Sequence, residues 1–233
     1  MTVIAPLRFL RVVPLHSPYM LLALAAVGVS SAAMIALDPT MGEDAIAPVA
    51  LLQMFAASSG FAVPARRGHF DLLLTGGAPR LRIATAHLAV SVLPGVALWL
   101  ALGLAEMAAA RTLTPRAFAP GTVFAMFMIS VLAWAITVPL PRLSGGIAWL
   151  LLIALALVGW LEGRALVTAA GTGTLDPAAL AAMYLVCPLL LVGQRLGPVQ
   201  AAALVPGVLV ATGAASAAVW WITRMDVPLE SAQ

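Results

Sequence analysis

The side chains that could do chemistry are few and scattered. Three histidines, His16, His69 and His87, do not cluster by spacing. No Ser-His-Asp pattern, H-E-x-x-H or G-x-S-x-G occurs among them. Cys187 is the only cysteine, which excludes an internal disulfide and a cysteine metal cluster. In Cys187-Pro188 the thiol would sit at a helix break, a place where soft metals can be passed along. Such a site needs further soft ligands, and none accompany it. Met126 and Met128 share one apolar run, among ten methionines in all. They suggest copper, but methionine also fills apolar gaps, and that reading is preferred. Gln53 falls inside an apolar run and Glu106 just after another. No Asp, Glu or Arg stands in the middle of a run, where an ion- or proton-coupled carrier would need one. No catalytic residue, cofactor or metal is therefore assigned, and the chain is read as not an enzyme.

The elements that must position these residues are set by lipid. Of 233 residues, 63% are hydrophobic and 9% are charged, with a mean hydropathy of +1.06. A soluble domain carries about 25% charged residues, and one of this size cannot hide so much apolar surface. About 20 apolar residues make one span. Six such runs are predicted: 18–37, 45–64, 83–105, 118–140, 145–161 and 199–223. Pro94-Gly95 and Pro206-Gly207 predict kinks in the third and last. A seventh run, 178–193, is too short for a full span and is broken at Cys187-Pro188. It is read as a re-entrant element before the last span. Residues 1–17 hold Arg8 and Arg11 beside Leu7 and Leu10, which predicts an amphipathic segment at the interface. No linker or repeat divides the chain, so 1–233 is one all-α membrane domain.

All twelve basic residues are arginine. The bias fits a GC-rich bacterial genome and places the chain in a bacterial inner membrane. The basic balance sets topology and does not point to nucleic acid. With the N-terminus inside and six spans, Arg8, Arg11, Arg66, Arg67, Arg80, Arg82, Arg142 and Arg224 lie inside. Arg111, Arg116, Arg164 and Arg195 lie outside, a bias of eight to four that obeys the positive-inside rule. Both termini are then cytoplasmic.

On this topology 65–82 is a cytoplasmic island between the second and third spans, with four arginines. Phe70, Leu73 and Leu74 share one helical face. Asp71 suits the positive end of a short helix, Gly76-Gly77 would end it, and Pro79 forbids its return. The physics alone allows this helix to rest on anionic headgroups or to dock on a protein. Leu143-Ser144-Gly145-Gly146 is similar to the signature of ABC ATPases. A chain without lysine, however, cannot form the phosphate loop such an enzyme needs. The four residues read as a small-residue turn entering the fifth span.

Gly68-His69-Phe70-Asp71-Leu72-Leu73-Leu74-Thr75, followed by Pro79, resembles the G-T-L-E-L-L-L-T-x-P segment of type-2 ABC transporter permeases. His69 departs from the usual Thr or Ser, and Thr85 and His87 stand where a Lys or Arg is usual. The layout of an interfacial N-terminus, six spans and an inserted extracellular element is similar too. The resemblance implies that 68–75 is a coupling helix, with Gly68, Phe70, Asp71, Leu72, Leu73 and Leu74 meeting a separate ATPase subunit. It also implies a second permease subunit, the same or related. A pathway lined by small and apolar side chains suits an amphipathic or lipid-like cargo, and membrane lipid is the chain's further partner. The alternatives are the haem-exporter membrane subunit of cytochrome c maturation and a non-transporting membrane scaffold.

Overall fold

The computed structural model describes residues 18–38, 42–66, 79–139, 150 and 176–224. Among these the chain is helical throughout, in six helices without a strand. They are α1 (Pro18–Leu37), α2 (Gly42–Arg66), α3 (Arg80–Ala110), α4 (Pro120–Thr137), α5 (Pro177–Val186) and α6 (Pro198–Arg224). Short 3₁₀ turns lie at Arg116–Phe118 and Pro188–Leu191.

Proline writes most of the starts. α1, α4, α5 and α6 each begin on a proline, whose fixed φ suits the first turn and whose missing N–H would find no helical partner there. At α5 the preceding Asp176 also caps, its side chain accepting the Ala178 N–H at 3.1 Å. Proline writes stops as well. α1 ends one residue before Asp38-Pro39, and α5 ends at Val186, before Cys187-Pro188, because a residue preceding proline is pushed out of the helical region. α3 ends differently: Arg111 takes the left-handed conformation at φ 50°, a position usually left to glycine.

Three helical segments among the described residues are long and apolar enough to cross a membrane: 91–110 of α3, α4 and α6. They are not equivalent. In α4, 67% of the span is buried within the protein, against 22% in α3 and 28% in α6, so α4 is the central span. α2 packs against α1, α3 and α4, while α6 packs against α4 and α5. Trp134 and Met128 of α4, Ile46 and Val49 of α2, and Leu180 and Tyr184 of α5 are buried in the core. Without water to drive helices together, close packing between spans depends on small residues. Gly207 of α6 faces Met128 of α4 so closely that a Cβ there would stand 2.8 Å from the Met128 methyl. Met128 is thus gap-filling, as preferred on sequence grounds.

Helices lie at five of the six predicted spans; the fifth, 145–161, falls outside the described residues except for Leu150, and 1–17 fall outside them too. The third is longer than expected. It was to end at Ala105, leaving Glu106 beyond it. Instead α3 runs on to Ala110, with Glu106 buried at 3% exposure. The reason is that Glu106 finds its partners inside the protein.

Candidate functional site

The residues expected to form a coupling helix, Gly68, Phe70, Asp71, Leu72, Leu73 and Leu74, lie outside the described residues, together with His16 and His69. The described ends of α2 and α3, Arg66 and Arg80, flank that segment. His87 lies on α3. Within the described residues two polar constellations and one cavity stand out.

The first constellation joins α3, α4 and the segment after α5. One Glu106 carboxyl oxygen accepts the Arg116 backbone N–H at 2.9 Å, and the other accepts that of Ala117 at 2.9 Å. The Ala117 carbonyl in turn accepts the Trp99 indole N–H at 2.8 Å. Trp99 meets Phe118 edge-on, with ring centroids 5.8 Å apart. The Thr122 hydroxyl donates to the Arg116 carbonyl at 2.9 Å and accepts the Gly193 N–H at 2.8 Å. Alongside, the Gly121 N–H donates to the Gln194 carbonyl at 3.2 Å. A Cβ at Gly121 would overlap the Leu191 carbonyl oxygen, so only glycine lets the two backbones meet there.

The returning segment explains the awkward length of 178–193. α5 breaks at Cys187, a 3₁₀ turn covers Pro188–Leu191, and Gly193 turns in the left-handed region at φ 76°. Around Val186 and Pro188 the chain borders the same cavity as Ile129 and Ile136 of α4. By Gln194 it has reached Gly121 at the start of α4. The run is therefore no continuous helix. Cys187 is fully buried at the break.

The second constellation lies between α2, α3 and α4. Gln53 is fully buried, and its Nε2 donates to Ser130 Oγ at 3.0 Å. Ser130 has one proton and gives it to the Met126 carbonyl at 2.7 Å. Ser130 must therefore accept from Gln53, which orients the amide: nitrogen toward α4, oxygen toward α3. That oxygen has no hydrogen-bond partner, and it fills the place where Gly95 lacks a Cβ. The Pro94-Gly95 pair sits at this level of α3, with Pro94 inside the helix. The sequence marks Gln53 and, separately, the Pro94-Gly95 pair, without joining them. Ser130 carried no signal, because a serine within an apolar run bonds its own helix as readily as a neighbour.

The cavity measures about 250 Å³ and is lined by Met54, Ile129, Leu132, Ala133, Ile136, Leu185, Val186, Pro188 and Val210. All nine are apolar. Ile136, Val186 and Val210 are exposed, so the cavity opens at the protein surface between α4, α5 and α6. It can hold hydrocarbon, and the Met54 thioether is the single soft donor in its described lining, too few for a metal site. No three of His, Cys, Asp or Glu come together among the described residues. Compared with protein-family models, with curated proteins and with solved structures, the chain matches none.

Proposed function

We propose that the chain is the membrane-spanning permease subunit of an ATP-driven transporter of the type-2 ABC kind, moving an amphipathic or lipid-like cargo. ATP is hydrolysed on a separate subunit docked at 68–75, and a second permease subunit, the same or related, completes the pathway. The inner membrane of a bacterium holds the complex, with both termini cytoplasmic and 178–193 inserted from the outer face. The observation that carries the reading is the broken α5 segment. It turns at Cys187-Pro188 beside an apolar cavity and returns to the start of α4 just before the last helix. The arginine bias and the basic island between α2 and α3 support it from the sequence side. The absence of any mid-span Asp, Glu or Arg in the predicted spans turns the reading away from ion coupling.

The test is at the island. If Phe70, Leu73 and Leu74 are apolar anchors in a protein groove, truncating one costs more than about 1 kcal/mol of binding. Leu73→Ala and Asp71→Arg are expected to lower co-purified ATPase and its transport-linked hydrolysis, at equal amounts of folded membrane protein. A helix merely resting on anionic lipid would tolerate Asp71→Arg, or bind lipid better. Unchanged ATPase recovery and hydrolysis in both variants would reject the docking role.

A further inference from the structure

The cavity has a direction. α4 and α6 run the same way: both begin near Gln194, and Gly207 of α6 faces Met128 of α4. The cavity-lining residues of α4, Ile129, Leu132, Ala133 and Ile136, follow at i, i+3, i+4 and i+7. They form one stripe about 10 Å long at the helical rise. The stripe extends toward the end of the bundle at which α6 finishes, with Arg224. Its opening is on α6 at Val210.

From Val210 the same face of α6 continues through Gly213, Ala217 and Trp221 to Arg224, at i+3, i+7, i+11 and i+14. Every one of these residues is exposed. A Cβ on Gly213 would meet nothing within 4 Å, so the surface there is open. The hydroxyls beside it, Thr212 and Ser216, are satisfied by their own helix, donating to the Val208 and Thr212 carbonyls at 2.8 Å each. At the end of this face Arg224 lies over the Trp220 ring, 4.7 Å from its centroid. A tryptophan pair beside an arginine is the usual composition of a helix end at headgroup level. The rise from Arg224 to Val210 is about 21 Å. Counted from the headgroups, half a bilayer is about 20–22 Å, so a chain anchored at Arg224 reaches Val210 with its far end, near the midplane.

We propose that the cavity holds one acyl chain of a resident anionic phospholipid, whose phosphate is held by Arg224 and whose chain runs along the exposed face of α6 past Trp221. Three features select this occupant. The lining is apolar throughout, which suits hydrocarbon and leaves water without partners. The mouth opens sideways, toward the space a bilayer fills. Among the described residues, the charge at the end of this face is a cation, Arg224, which complements phosphate. The proposal rests on the chain being embedded in a membrane. It does not depend on ATPase docking, and its test requires no partner subunit.

The experiment is native mass spectrometry of the intact chain, reconstituted in phosphatidylglycerol–phosphatidylcholine vesicles and then extracted in mild detergent. The wild type is expected to retain one phosphatidylglycerol per chain. Arg224→Gln is expected to keep a bound lipid and lose about fivefold of the preference for phosphatidylglycerol, the value of one cation near the surface. Val210→Trp plugs the mouth from an exposed position and is expected to lower retention about tenfold. Ala201→Trp, exposed on α6 away from the cavity, serves as the control and is expected to retain lipid. Equal retention in wild type and Val210→Trp overturns the site. So does disulfide cross-linking of Val186→Cys between two copies with no lipid retained, since the mouth would then be a seam between subunits.

Discussion

The two ends of α4 are built on opposite principles. At Gly121 every identified polar group is answered. Glu106 takes two backbone N–H groups, Thr122 gives and takes one bond each, and Gly121 lets two backbones touch. Toward Thr137, the described residues around an open cavity are all apolar. Between the two ends lies Gln53, tied to Ser130 through its nitrogen and unpartnered at its oxygen. The contrast shows where this bundle is pinned and where it can yield. Directional bonds between α3, α4 and the returning segment fix one end, whereas apolar contacts around a cavity allow helices to shift with little loss. If α4, α5 and α6 move relative to one another, the cavity end is where the movement is cheapest.

The largest expected effect comes from unpinning the closed end. Glu106→Ala leaves the Arg116 and Ala117 N–H groups without their acceptor in a largely buried place. Each orphaned donor costs about 1–3 kcal/mol, so a loss of about 3 kcal/mol is expected, read as a lower midpoint in detergent unfolding. An unchanged midpoint would mean that this end is not pinned by Glu106. A smaller loss is expected from Gly121→Ala, whose Cβ must push the Leu191–Gln194 backbone away. Overpacking of this kind costs about 1–3 kcal/mol. The same variant should raise labelling of a cysteine placed at Gln194, because the returning segment lifts from α4. The smallest effect is at Gln53. Hydrogen bonds between spans average about 0.6 kcal/mol, and Gln53→Leu also removes the unpartnered oxygen. Stability is expected to change by less than about 1 kcal/mol, in either direction. A loss as large as that of Glu106→Ala would erase the distinction between the pinned end and the rest.

Much of the layout was legible along the chain. Apolar runs bounded by proline and arginine mark helices because a span must satisfy its backbone within itself, and because proline belongs at starts and forbids continuation. The break at Cys187-Pro188 was readable for the same reason. Glu106 was misplaced beyond the third span because a carboxyl group reads as a stop when its partners are unseen. Those partners, the Arg116 and Ala117 N–H groups, are backbone atoms and leave no trace in residue type.

The sequence by itself determined that this is a helical membrane protein, roughly where five of its helices lie, and which segment is not one continuous helix. These follow from local terms: hydropathy over about 20 residues, the φ of proline, and the sign of flanking charge. Only the tertiary structure decided that α4 is the central span, that Gln53 orients on Ser130 against Gly95, and that Gln194 returns to Gly121. It also decided that nine apolar residues from α2, α4, α5, the following 3₁₀ turn and α6 enclose one cavity. Each of these depends on which faces of distant segments meet. In a chain whose spans are apolar on every side, no hydrophobic stripe marks an inward face, so that choice is made by the fit of side chains against glycines and by the few polar groups that must find one another.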